Sequence, residues 1–328
     1  MNAIRQIIEQ KEELLSPYAC KSRNSRGRIK EEKQKEGDYR TIFAHDRDRI
    51  LHSHAFRREK DKTQVFILPK NDHIMNRLTH TLEVAQIAKT MALALNLNET
   101  LAEAIALGHD TAHTCFGHAG EKALNQISRS CGLGGYDHAQ QASHRLVEIS
   151  GLNLTYETLD GITKHSGISN RPSAFTLEGQ LIQFADKIAY LTSDMENAIS
   201  MGIINDYPQF VKSSLGKNKS EIISTLVESV IETSFNKPYI SMNDAVYNEF
   251  IKFRQFNFEE IYHNRILDTQ NQKCESVINY LFEYYKKFPE RFEHPLEHRC
   301  LEQNIIDHIA GMTDKYAMSI FNDYVGNH

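Results

Sequence analysis

Apolar residues recur along this chain at steps of three and four, a spacing that predicts helices rather than strands. The clearest case is 177–199, where Leu177, Leu181, Phe184, Ile188, Leu191, Met195 and Ala198 alternate those two steps. A second stripe, Ile182, Asp186, Tyr190 and Asp194, runs by fours along another face. With Ala185 and Ala189 beside the main face, such a helix is expected to be buried on most sides. Residues 76–95 repeat the pattern through Leu78, Leu82, Ala85, Ala92 and Leu95, and 101–107 form a shorter apolar helix broken at Gly108. After the loop Cys131-Gly-Leu-Gly-Gly135, residues 137–150 resume a helix.

Other segments read less simply. Residues 1–16 predict a short helix ended by Ser16-Pro17, and 39–60 a helix with a heavily charged face. Between them, 21–30 is basic and without period: a phosphate-gripping arm or, more commonly for such runs, a solvated loop. Thr63-Gln-Val-Phe-Ile-Leu68, closed by Pro69, is the best strand candidate. From 201 onward, helical segments are interrupted at Pro208, Pro238, Pro289 and Pro295. The architecture expected is all-α with at most one small β-hairpin. It comprises an N-terminal helix and arm over 1–38 and one domain over 39–328. That domain has its core at about 39–200 and a helical C-terminal part over 201–328.

A chain of 328 residues can bury a substantial core. Its net charge of −5 gives no global mark of a nucleic-acid or membrane binder. Five cysteines without a C-x-x-C pair read as reduced thiols, no apolar run is long enough to span a bilayer, and the amphipathic N-terminus is unlike a secretory signal. These features predict a cytoplasmic protein. Eleven of the sixteen histidines fall between His45 and His165, so metal or proton chemistry belongs in that stretch.

Within it, His109-Asp110 ends an apolar helix. A helix C-terminus disfavours a carboxylate unless something positive compensates it. His80 and Asp186 lie on the helices before and after. A carboxylate in a core needs a cation, strong donors or a metal, because desolvating it unpaired costs several kcal/mol. Alone, His80 or Asp186 would more often be an ordinary core histidine or a salt-bridged acid. Together, two imidazoles and two carboxylates suit a catalytic divalent metal with open positions. His113, His118 and Glu121 follow at short intervals; Glu121, three residues past His118, is spaced to orient that imidazole. Arg77, three residues before His80, and Lys187, beside Asp186, could meet oxygens at the metal, and several cations there imply a phosphate-bearing substrate. Tyr190 and Asp194 lie about 6 and 12 Å further along their helix from Asp186, a spacing that suits a sugar beyond a phosphate. No Walker A or G-x-G-x-x-G segment is present.

These residues resemble a known family. His80, His109-Asp110 and Asp186 match the H…HD…D pattern of HD-domain metal phosphohydrolases. The runs Tyr39-Arg-Thr-Ile-Phe43, Lys62-Thr-Gln-Val-Phe66, Arg77-Leu-Thr-His80, Gly117-His-Ala-Gly-Glu121, Gly151-Leu-Asn-Leu-Thr-Tyr-Glu157 and Ile309-Ala-Gly-Met-Thr-Asp-Lys-Tyr316 resemble the deoxyguanosinetriphosphate triphosphohydrolase (dGTPase-like) family. The likeness runs from about 39 to 324. It implies hydrolysis of a deoxynucleoside triphosphate, dGTP among the substrates, to deoxynucleoside and tripolyphosphate. It also implies a divalent metal (Mg²⁺ or Mn²⁺ first, with Fe²⁺, Co²⁺, Ni²⁺ or Zn²⁺ as alternatives) held by His80, His109, Asp110 and Asp186. His118 and Glu121 would transfer the proton, and His113 and His138 would contact phosphate or the scissile oxygen. Arg77 and Lys187 would hold phosphates, Tyr190 would pack on deoxyribose, and Asp194 would take the 3′-hydroxyl. Family members form homo-oligomers, often tetramers or hexamers, some regulated by nucleotide effectors or single-stranded DNA. Thr111, Ala112 and Cys115 stand where the family usually has Leu, Gly and Pro, and Ala112 fits only if its φ is negative. The alternatives are another HD phosphohydrolase, a phosphatase or phosphodiesterase, or a non-catalytic nucleotide or DNA sensor.

Overall fold

A computed structural model describes residues 3–32, 37–67, 71–167, 174–292 and 296–325. Its helices are α1 (Ala3–Glu12), α2 (Ile42–Leu51), α3 (His54–Arg58), α4 (Arg77–Ala94), α5 (Glu99–Gly108), α6 (Gly117–Ser130), α7 (His138–Ser143) and α8 (Tyr156–Thr163). They continue as α9 (Leu177–Ser200), α10 (Gln209–Ser214), α11 (Lys219–Ser234), α12 (Asp244–Asn257), α13 (Arg265–Lys287), α14 (Leu301–Ala310) and α15 (Asp314–Val325). The fold is all-α, with no strand among the described residues. No described helix is long and apolar enough to cross a membrane, and the five cysteines are free thiols.

α9 is the axis. Leu181, Ile188, Leu191, Met195 and Ala198 are fully buried along its main face, and Ile182, Ala185 and Ala189 are buried beside it. Burying a large aliphatic side chain stabilises by about 1.5–3 kcal/mol, so this one helix anchors the core. α4 and α5 pack against it, and α2 covers α5. Asn76 starts α4 with a reciprocal bond to Thr79, and Asn98 caps α5. On α4, Ala85, Ala92 and Leu95 of the expected stripe are buried, but the inward face is wider than that stripe and leaves out Leu82. It carries His80, Val84, Ile87, Ala88 and Met91, while Leu82 is 50% exposed. The 3.6 period allows either face inward, and packing on α5 and α9 selects the one that brings Arg77 and His80 inside.

A second apolar core gathers Phe116, Ala119, Ala123, Leu124 and Ile127 from the α6 segment with Ile278, Leu281 and Tyr285 of α13 and Ile305, Ile306 and Ile309 of α14. The main core extends beyond residue 200 through Leu226, Val230, Phe250 and Phe253 of α11 and α12. The metal-pair loop, 109–116, therefore lies where the two cores meet.

One further expectation is corrected. Residues 63–67 form no strand; Thr63 makes one isolated antiparallel bridge with Asn76. Its N–H donates to Asp314 (3.0 Å) and its carbonyl accepts from Arg77 (3.1 Å), so side chains take the bonds a neighbouring strand would need. Leu68, Pro69 and Pro295 lie outside the described residues. The basic arm is tied to the body: Glu157 accepts from Ser25 and from the Arg26 N–H, and Arg28 pairs with the buried Asp46. Arg26 stacks over the Phe175 ring at 3.9 Å. Helix 137–150 is α7 continued by a π-helical turn, His144–Ile149.

Candidate active site and metal centre

The apolar pattern of α5 delivers its C-terminus, with His109 and Asp110, into the core opposite α4 and α9. His109 Nδ1 donates to the Ala106 carbonyl (2.6 Å), so in the neutral ring Nε2 is the nitrogen with the lone pair, and it is buried with no hydrogen-bond partner. Around that nitrogen stand Asp110 Oδ1 at 3.6 Å and Asp186 Oδ1 at 3.7 Å. His80 Nε2 lies 3.1 Å from Asp186 Oδ1 and 3.7 Å from Asp110 Oδ2. Donor atoms around an ion with bonds of about 2.0–2.2 Å stand roughly 3–3.6 Å apart, so the set fits one divalent metal. Ligand atoms of His80, His109 and Asp110 all lie within 4.8 Å of one another.

The electrostatics agree. Burial alone would push His109 down, but the Asp110 and Asp186 carboxylates more than reverse it, to about 9. Burial also works against ionising those carboxylates, and is overcome by Arg77 and His109 at Asp110 and by His109 and His80 at Asp186. The cluster attracts a positive charge to the gap that Nε2 of His109 faces.

Arg77 supplies the compensation a carboxylate at a helix end requires. Its guanidinium pairs with Asp110 Oδ2 and donates to the Thr63 carbonyl, and it is 1% exposed. Lys187 reaches the His165 carbonyl (3.4 Å) and lies 3.7 Å from Asp186. His113 Nε2 is 3.5 Å from Asp110, and its ring stacks on His138 at 3.7 Å. His118, on the first turn of α6, has a side chain 78% exposed, with Nδ1 3.6 Å from Glu121. Glu121 makes its shorter contacts elsewhere: Oε1 accepts from the His138 backbone N–H (2.8 Å) and from His138 Nδ1 (2.9 Å). The structure thus gives Glu121 primarily to His138, with His118 next in reach.

The loop between metal pair and α6 is shaped by Phe116 and Gly117 in left-handed conformation, φ 62° and 53°. A Cβ at Gly117 would stand 3.1 Å from the Gln64 carbonyl. Ala112 is fully buried and has no positive φ, so its methyl fits where a glycine is usual. Cys115 is buried, with Sγ 3.7 Å from the Ile309 carbonyl. Asp314, at the start of α15, clamps this loop from the second core: it accepts from Phe116 N (2.8 Å), Thr63 N (3.0 Å) and Thr63 Oγ1. Removing it strands buried donors at about 1–3 kcal/mol each. Asp314→Ala should therefore lower stability by roughly 3 kcal/mol, and Asp314→Asn should restore part of that. Denaturant midpoints check it, and an unchanged midpoint in the alanine variant would rule the clamp out.

A cavity of about 450 Å³ opens over the metal set. Arg77, Asp110, His113, His118, His138, Asp186, Lys187, Tyr190 and Asp194 line it, with Gln64, His165, Arg254, Tyr262 and His263. No residue of the basic arm does so among the described lining. At the end away from the metal set, Tyr262 donates to Asp194 Oδ2 (2.6 Å), while Asp194 Oδ1 is buried with no partner. Burial raises the Asp194 carboxyl to about 6. The sequence reading missed His165, Arg254, Tyr262 and Asp314. His165 stood in the histidine-rich stretch and could have been noticed; Arg254 and Tyr262, among mixed helical segments, carried no local signal.

Residues 77–191 match the HD domain model and 240–323 the phosphohydrolase-associated domain model. Among curated relatives, the deoxyguanosinetriphosphate triphosphohydrolase-like protein of Caldanaerobacter subterraneus subsp. tengcongensis is 47% identical, covering 96% of this chain and 94% of its own. The protein of that name from Clostridium tetani is 40% identical over 98% and 96%. That of Desulfatibacillum aliphaticivorans is 39% identical over 96% of each. With its helical fold, its His/Asp cluster and both domain models matched, the chain belongs to the deoxyguanosinetriphosphate triphosphohydrolase-like family of HD-domain phosphohydrolases.

Proposed function

We propose that this protein hydrolyses deoxynucleoside triphosphates, dGTP among them, to deoxynucleoside and tripolyphosphate. The observation that carries the reading is the cavity itself: it runs from Asp110 and Asp186 of the metal set, flanked by Arg77 and Lys187, to Tyr190, Tyr262 and a buried carboxylate with one free oxygen. That order suits phosphates at one end and a sugar at the other, and relatives that match over 96–98% of this chain carry the dGTPase-like name.

His80, His109, Asp110 and Asp186 would hold a divalent ion, Mg²⁺ or Mn²⁺ being the first to test. When bound, such an ion lowers the pKa of a water and neutralises phosphoryl charge. The rest is done by the chain. Arg77 holds Asp110 in place and brings a cation to the cavity wall. Lys187, which burial keeps below the usual lysine range, adds a second cation beside Asp186. His113 and His138 face the phosphates, and exposed His118 is free to pass a proton between solvent and the leaving oxygen. Asp194 Oδ1 is placed to accept a sugar hydroxyl. Homo-oligomeric assembly and control by a nucleotide effector or single-stranded DNA rest on the family resemblance alone.

The test is purified protein with each dNTP and NTP and Mg²⁺ or Mn²⁺, products separated by anion exchange. Tripolyphosphate with deoxynucleoside is the expected result; free phosphate, a monophosphate or no turnover would replace this reading with a phosphatase, a phosphodiesterase or a sensor. In the same assay Tyr190→Ala should raise kcat/KM for GTP relative to dGTP. A ring against deoxyribose leaves no space for a 2′-hydroxyl, and an unchanged ratio would place the sugar elsewhere.

A further inference from the structure

Lys62 closes the turn Glu59–Asp61 that follows α3, and its side chain runs inward, leaving the residue 3% exposed. Its amino group bridges two carbonyls far apart in sequence. One belongs to His113 in the metal-pair loop; the other belongs to Ala310, the last residue of α14, at 2.9 Å. The Lys62 backbone carbonyl meanwhile accepts the N–H of Arg77 (3.1 Å), the first residue of α4. One residue thus ties the loop, α4 and α14 together.

A cation beside a helix C-terminus commonly does no more than satisfy its last carbonyls. That accounts for the bond to Ala310 but not for the reach to His113. The His113 N–H already donates to the Asp110 carbonyl (3.0 Å), so Lys62 holds the other peptide of the same residue. With both peptides held, the direction in which the ring leaves the backbone is set. The ring lies with Nε2 3.5 Å from Asp110 and its face on His138. The neighbouring Ala112 carbonyl takes a neutral donor, the Tyr136 hydroxyl (2.7 Å). A protonated lysine makes the stronger bond, because charge-assisted hydrogen bonds are roughly twice as strong as neutral ones.

No carboxylate among the described residues bonds to this amino group. Burial, then the positive charge of Arg145, push its pKa down to about 7; Arg58 and Arg77 add to this, and the Cys115 thiol opposes it. Asp314 of α15 is the acid facing it, and commits its oxygens to Thr63 and Phe116. Glu59, on the same turn, lies toward Thr81 of α4.

We propose that Lys62 is a positioning residue: by holding the His113 carbonyl it sets where that ring meets the substrate phosphates, and its charge strengthens the hold. This rests on the reading of His113 as a phosphate-facing residue. A neutral amine still has hydrogens for both carbonyls but grips them less tightly. The hold therefore slackens as pH rises through the range in which Lys62 loses its proton.

Lys62→Met keeps the length of the side chain and removes the donor. With saturating Mg²⁺ at about pH 6, kcat/KM for the dNTP turned over fastest should fall by about tenfold or more, the scale on which small misplacements act. Metal content should stay full. The deficit should shrink as pH is raised to about 9, because the unaltered protein loses its own advantage. No deficit, or one constant across that range, would overturn the proposal, since a side chain that merely fills space or caps α14 costs the same at every pH. The His113 ring resonances of ¹⁵N-histidine-labelled protein, assigned through His113→Gln, test positioning without substrate. They should differ between the two proteins at low pH and by less at high pH. If no dNTP is hydrolysed, these resonances decide alone, and a ring unmoved by Lys62→Met overturns the role. Lys62→Arg keeps a charge throughout and should flatten the pH dependence. Should Lys62→Met fail to fold, that variant decides, and an unflattened profile overturns the proposal.

Discussion

Asp110→Asn should leave the protein without its metal and without measurable turnover, while its far-ultraviolet circular dichroism remains helical. Asp110 is the residue on which the site converges: it faces His80, His109 and His113 and is the ion-pair partner of Arg77. The asparagine isostere matters. Asp110→Ala would strand the Arg77 guanidinium, 1% exposed, in the core. Breaking a buried pair from one side costs roughly 3–5 kcal/mol, and lost activity would then be confounded with lost fold. Asparagine keeps an oxygen for Arg77 but removes the charge that a divalent ion requires. His109→Ala tests the same site without touching Arg77, since its Nε2 has no protein partner to lose. Elemental analysis beside a denaturation curve decides the matter. A folded variant of either kind that keeps both its metal and its rate would end the ligand assignment.

His118→Ala should reduce kcat by about 10² or more, the usual scale for a positioned acid–base group, and leave stability almost unchanged. The two halves of that expectation come from one fact: the side chain is 78% exposed and borders the cavity. Exposed substitutions away from special features usually shift stability by no more than about 0.5 kcal/mol, so a large kinetic loss cannot be ascribed to unfolding. Metal content should stay full, because the His118 ring is separated from the ligands by His113. Glu121→Gln offers the contrast. It weakens the hold on His138, which Glu121 bonds directly, so its effect should extend to substrate affinity as well as kcat. Unchanged kcat with raised KM in His118→Ala would make His118 a substrate ligand rather than a proton carrier.

Much was readable from the order of residues alone. The three-and-four spacing that makes 177–199 apolar on its main face also fixes Asp186, Tyr190 and Asp194 on one stripe, because helical geometry is local and repeats every 3.6 residues. The adjacency of His109 and Asp110 at a helix end demanded a positive partner on electrostatic grounds, and both a cation and a metal-competent set stand there. What depended on pairs far apart in sequence was decided only by the tertiary structure. The run from Thr63 has the composition of a strand, yet composition cannot show that Asp314, 251 residues later, and Arg77 take its backbone bonds. Spacing put Glu121 one turn from His118, but packing of α7 brought His138 closer. Leu82 and His80 compete for the inner face of α4 with equal helical right, and only the presence of α5 and α9 settles which is buried. His165, Arg254 and Tyr262 reach the cavity from segments with no shared motif. Periodicity specifies which face a helix offers; the partner across that face, and hence every hydrogen bond that sets a tautomer or a charge, exists only after the chain has packed.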